Sequence, residues 1–155
     1  MNTAITIEKI AFKYGSLIAI MLIAFFLIMK LVGLAHIYEL RALNFFFLTF
    51  GVWQAFRYLK RNDQEFSYFK GLGTGIFTTA FSLLIFSIFV FIYTNILDPE
   101  FMVQLKENAP FGEYLNPYIA SFVIFFEGTI SGVIVSFGMM QYFKVSHMDK
   151  DSKVV

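Results

Sequence analysis

Cysteine is absent from this chain. Disulfides, thiolate metal sites, cysteine nucleophiles and S-palmitoylation are therefore all excluded. Charge is scarce: Asp, Glu, Lys and Arg make up 15% of the 155 residues, against about 25% in a soluble domain. That deficit fits a surface facing acyl chains rather than water. The formal net charge is only +1, without the strong basic patch that nucleic-acid binding requires. There are two histidines, His36 and His147, and no His/Asp/Glu group at metal-ligand spacing. The three prolines, Pro99, Pro110 and Pro117, fall within one stretch of about twenty residues.

Hydrophobic residues fill the rest. Four apolar runs cover roughly residues 14–34, 42–59, 71–97 and 118–143. Each approaches or exceeds the ~20 residues that carry an α-helix across a ~30 Å hydrocarbon layer. Phenylalanine, the commonest aromatic at 22 residues, suits that solvent because it has no polar atom to satisfy. The fold expected is all-α: an integral membrane bundle of four transmembrane helices in a single domain. The first run reads as a retained helix rather than a cleaved leader, because it is long and lacks a small-x-small cleavage site.

Alternating helices put the N-terminus, the second loop and the tail on one side. That side carries Lys9, Lys13, Arg57, Lys60, Arg61, Lys70, Lys144, Lys150 and Lys153, and the other only Lys30, Arg41 and Lys106. Basic segments stay inside, so both termini are expected in the cytoplasm, and the chain in a bacterial inner membrane. The polar loop from Lys60 to Glu65 reads as a tight cytoplasmic connection. Residues 147–155 read as a disordered polar end. Tyr14, Tyr38, Tyr58, Tyr68, Tyr93, Tyr114, Tyr118 and Tyr142 lie near run ends, where an interfacial belt is expected.

The third loop is the longest. Asp98-Pro99-Glu100 has the form of a helix start, with Asp as N-cap, Pro at the first helical position and an acid in the first turn. Phe101, Met102 and Leu105 then share one side of a helical wheel. A short amphipathic helix on the outer interface accounts for this; the alternative is a flexible loop.

Glu127, deep in the fourth run, needs an explanation. An acid near the bilayer centre costs about 2.5–3.5 kcal/mol, while each large apolar residue returns about 0.3–0.6 kcal/mol. Such a carboxyl calls for a proton, a partner or water. Lys30, at the outer end of the first helix, is the expected partner, with Asn44 beside them. The alternative is that Lys30 snorkels to the headgroups and Glu127 bonds nearby Ser or Thr.

Small residues four apart, Gly71 and Gly75 in the third run and Gly128 and Gly132 in the fourth, are expected to let helix backbones approach. Gly71-x-Gly-x-Gly75 is not a phosphate loop, since it lacks the preceding strand and the Lys-hydroxyl ending. His36 and His147 fall on opposite sides of the membrane, and a serine nucleophile would find only Glu127 as a base. The expectation is therefore a non-enzymatic protein with no catalytic residue, cofactor or metal.

The residues Arg57-Tyr58-Leu59-Lys60-Arg61, the stretch from Phe66 to Gly75, Phe91-Ile92-Tyr93 and Asp98-Pro99-Glu100-Phe101-Met102 carry a resemblance. The chain resembles a family of small four-helix membrane proteins from Bacteroidota, catalogued only as a domain of unknown function. The resemblance covers nearly the whole chain. It implies a bacterial inner membrane and four spans, and supplies no activity, ligand or catalytic residue. Two roles remain open. One is an interaction or accessory subunit that packs against a membrane-protein partner or a second copy. The other is a small transporter with Glu127 as an intramembrane proton or cation site.

Overall fold

The computed structural model describes residues 6–34, 37, 42–62, 67–109 and 112–151, with side chains described as far as residue 143. His36, Tyr38, Arg41, Pro110, the loop residues 63–66 and the last four residues lie outside the described part.

The described residues form helices and short turns. The long elements are α1 (Ile7–Leu31), α2 (Ala42–Asn62), α3 (Tyr68–Ile92), α4 (Pro99–Asn108) and α5 (Pro117–Asp151). Three helical stretches, Ile7–Leu31, Tyr68–Leu97 and Pro117–Phe143, are long and apolar enough to cross a membrane. The 21-residue α2 is not among them. Its length suffices, but Asn44, Gln54, Arg57, Lys60 and Arg61 dilute its hydropathy.

Local chemistry sets the ends. The first helix starts earlier than its apolar run and stops at Leu31, short of Leu34, because Gly33 adopts φ +77°. Leu34 N donates to Met29 O and Gly33 N to Lys30 O, the paired bonds of a Schellman stop, which favours glycine at that position. Ser67 caps α3 through Lys70 N. Asp98 caps α4 through Phe101 N at 3.0 Å, with Pro99 at the first helical position. Asn116 caps α5 through Ile119 N. The tail reading is corrected: α5 continues to Asp151, since neither glycine nor proline follows Gly138 to stop it. A π-helical turn, Tyr93–Leu97, extends α3.

The third helix is the centre of the bundle. It runs parallel to α1: Phe12 meets Phe81 at 4.7 Å, and Phe26 meets Phe89 at 5.7 Å. It runs antiparallel to α5, where Gly71 faces Met140, Gly75 faces Ser136, Gly132 faces Thr79 and Gly128 faces Leu83. All four glycines lie on this one seam, and each admits a side chain from across it. Helix α2 runs antiparallel to α1, with Gly51 against Ile18, and Tyr14 5.6 Å from Tyr58. Ile18, Leu22, Val52, Phe56 and Met140, each at most 1% exposed, fill the middle.

The buried face of α3 carries five small hydroxyl residues, Thr74, Thr78, Thr79, Ser82 and Ser87, among Gly71, Gly75, Leu83, Phe86 and Val90. Thr74, Thr79, Ser82 and Ser87 donate to backbone carbonyls three or four residues back. Bonded this way, a hydroxyl can pack as a small apolar residue without leaving a donor unmet.

Candidate functional site

Two polar clusters stand out from this apolar frame. The first is at the end of the bundle where α1 stops and α4 begins. Lys30 Nζ lies 2.7 Å from Asp98 Oδ2, with both side chains about a quarter exposed. The same ammonium sits 4.4 Å from the centroid of the Phe101 ring. The hydrogen bond from Lys30, reinforced by the bond from Phe101 N and by the ammonium charge, holds the Asp98 carboxyl below its ordinary range against the opposing effect of burial. Below this pair, Phe26, Phe89, Tyr93 and Phe101 form a cluster of mostly edge-to-face rings at 5.0–6.1 Å, a favoured aromatic geometry. Phe101 and Met102 are buried while Val103 is exposed. One face of α4 is thus pinned to the bundle. Tyr93 is 9% exposed, part of this core rather than of an interfacial belt.

The second cluster surrounds a groove of about 460 Å³ between the start of α2 and the middle of α5. Leu22, Leu48, Leu83, Phe86 and Ile124 line it with apolar surface, and Asn44, Glu127 and Ser131 supply its polar groups. Ser131 Oγ donates 2.9 Å to the Glu127 carbonyl. Asn44 Oδ1 is buried without a donor among the described residues.

Helix lengths explain the opening. Toward their C-terminal ends α2 and α5 are joined by the Phe56–Phe143 stack, 5.8 Å apart. From there α2 rises only about 21 Å to Ala42, whereas α5 rises about 39 Å to Pro117. Among the described residues the N-terminal part of α5 therefore lacks a neighbour on that flank, and the groove lies beside the first two turns of α2.

This register corrects the expected pairing of Lys30 with Glu127. Lys30 stands level with Asp98, whereas Gly128, next to Glu127, stands level with Leu83. Those two points on α3 and its extension are about 20 Å apart along the axis, more than the two extended side chains span. Equal depth was assumed for residues that the packing sets at different depths. The structure does bring Asn44 and Glu127 to one site.

Sequence reading took Asp98 only as a helix cap and missed its bond to Lys30. It also missed Ala11, Gly15 and Ala19, a buried small-residue row on α1. A methyl at Gly15 would lie 2.8 Å from Phe81 Cδ1 and 3.0 Å from Thr78 O. That row was legible as small residues four apart. The π turn carries no comparable signal. Among the described residues no cluster of His, Asp and Glu could hold a metal.

Neither the curated proteins nor the solved structures contain a match. A family model described as "Protein of unknown function (DUF4199)" matches residues 13–145, from α1 through α5, including both polar clusters. The chain therefore belongs to the DUF4199 family of proteins of unknown function.

Proposed function

We propose that this chain is a four-span protein of the bacterial inner membrane, with both termini in the cytoplasm, that works as a non-enzymatic interaction subunit through the α2–α5 groove. The carrying observation is the contrast between its seams. The α1–α3 and α3–α5 seams are closed by small residues, while the α2–α5 flank opens into a groove with a polar wall and an apolar floor. A recess of this composition inside an acyl layer is a place to bind, because its polar wall gains nothing from hydrocarbon.

The four-span count is supported by the parallel course of α1 and α3. A chain that runs up α1 must return before running up α3 beside it, and α2 is the segment between them. The excess of Lys and Arg at the inner ends supports the orientation. The sequence points to a membrane-protein partner or a second copy as the interacting species.

Transport through Glu127 is the second reading, favoured by the place of that carboxyl on the groove wall. It is weaker because the bundle centre is filled and the groove lies on the flank. Ions would have to pass between copies. Loss of proteoliposome flux in Glu127→Gln would move the assignment to transport.

The test of the interaction reading is a photo-crosslinking amino acid at Phe45, which lines the groove, with Phe77, exposed on α3, as control. In native membranes a discrete adduct is expected from position 45 only. No adduct, or the same adduct from both positions, would end the proposal.

A further inference from the structure

We infer that the seam between α1 and α2 holds the head of an acidic phospholipid, at the end of the bundle where α1 begins. Tyr14 and Tyr58 meet there at 5.6 Å, packed on the buried Ile10, Ala55 and Leu59. The ammonium of the exposed Lys13 lies 5.5 Å from the centre of the Tyr14 ring and 4.9 Å from that of Tyr58. Lys9, also exposed, comes four residues before Lys13, and the exposed Arg61 three residues after Tyr58. Because α1 and α2 are antiparallel, both steps lead toward the same end, by about 6 Å and about 4.5 Å. Two further cations therefore stand just beyond the tyrosine pair, nearly level with each other.

Donors gather here without acceptors. Among the described residues none of Lys9, Lys13 and Arg61 forms an ion pair. Neither tyrosine hydroxyl has a hydrogen-bond partner there, and neither is sealed inside the protein. Glu8, the acid in the first turn of α1, is five residues from Lys13 and so about 140° around the helix from it. A phosphate diester supplies what these groups lack, a negative charge and acceptor oxygens. A zwitterionic head adds an ammonium that the cations repel. Position makes the anion a lipid rather than a solute. Leu17 and Ile20, four and seven residues beyond Lys13, continue its face of α1 toward the middle of the apolar run, and both are exposed. They form a lane for acyl chains that starts at the phosphate. The α2–α5 groove takes no part in this site.

Native mass spectrometry of the full chain in mild detergent tests this, with dioleoylphosphatidylglycerol and dioleoylphosphatidylcholine at equal concentration. Their acyl chains are identical, so only the heads differ. The phosphatidylglycerol adduct is expected to exceed the phosphatidylcholine adduct about tenfold, as one charged hydrogen bond gives. Lys13→Gln should remove that preference. Tyr14→Phe with Tyr58→Phe, which keeps both rings, should reduce it about threefold, as a neutral hydrogen bond lost would. Arg57→Gln is the control and should leave it unchanged, because Arg57 lies on the Trp53 ring, 5.4 Å from its centre. Equal adducts from the two lipids would overturn the proposal. So would equal losses in Lys13→Gln and Arg57→Gln, the mark of diffuse attraction between charges. Displacement of the lipid by millimolar inorganic phosphate would overturn it in favour of a free anion. Should the variants not fold, phosphatidylglycerol with a diazirine in its head, added to the unaltered chain, decides alone. Labelling is expected within residues 9–20 and 54–61; labelling spread over every helix, confined to α3 and α5, or absent would sink the site. Each of these failures leaves the groove and the span count untouched.

Discussion

A methyl group at Gly132 would collide with the side chain of Thr79, which is 1% exposed and bonded to Gly75 O. Thr79 is β-branched and stiff, so it has little room to retreat. At Gly71 the same methyl would crowd Met140 Sδ, with Met140 Cε at 2.9 Å and Phe56 Cε1 at 3.3 Å, and the unbranched methionine can bend aside where the β-branched Thr79 cannot. Gly132→Ala should therefore destabilise the protein by about 1–3 kcal/mol, and Gly71→Ala by clearly less. Thermal unfolding of the two variants in one detergent measures the difference. Equal losses would mean that the seam does not discriminate between its neighbours.

Asp98 has two tasks that substitution can separate. Asparagine caps helices about as well as aspartate, so Asp98→Asn keeps the cap of α4 and removes only the charge that faces Lys30. A partly exposed pair of this kind is worth about 0.2–1 kcal/mol. Because the folded carboxyl is held below its ordinary range by Lys30, its contribution is complete above the unfolded value near 3.9. It is lost as pH falls through the lowered folded value. Stability in detergent between pH 6 and 3 should therefore fall more in the unaltered chain than in Asp98→Asn. Parallel curves would show that the pair contributes nothing.

At the level of the helices, α4 is held by few contacts. Its buried face is Phe101 and Met102, and its N-terminus is tied through Asp98. Truncating a buried phenylalanine to alanine costs about 3–5 kcal/mol. Here that loss should appear as local opening, since the α3–α5 seam does not depend on Phe101. In Phe101→Ala, amide exchange over Pro99–Asn108 should rise about 100-fold, the equivalent of about 3 kcal/mol, while exchange at the centre of α3 stays unchanged. Acceleration throughout α3 would show instead that α4 is integral to the bundle.

For the molecule as a whole, α2 decides the topology. It is the least apolar of the four helices longer than twenty residues, and whether it crosses between α1 and α3 sets the side on which the tail lies. A phosphatase fused after Val155 should be inactive, and a fluorescent protein at the same point should fluoresce in the cytoplasm. An active phosphatase would overturn the four-span, tail-inside arrangement, and the same reporter placed before α1 would then separate three spans (N-terminus inside) from four reversed spans (N-terminus outside).

Three of the long helices were legible in the residue order because a run of apolar side chains has one stable place in lipid. The cap at Asp98 was legible too, since it depends only on near neighbours. So was the spacing of the glycines, although which side chains they would meet was not. Depth was not legible. Lys30 and Glu127 looked like partners while every helix was taken to span the same height. Packing sets the C-terminal end of α1 beside the C-terminal end of α3 and starts α2 well short of the N-terminus of α5, which sends Lys30 to Asp98 and gathers Glu127 with Asn44 around one groove. Local patterns along a chain decide which segments become helices and where they stop. Relative heights depend on how side chains from distant segments interlock, and only the assembled bundle contains that information.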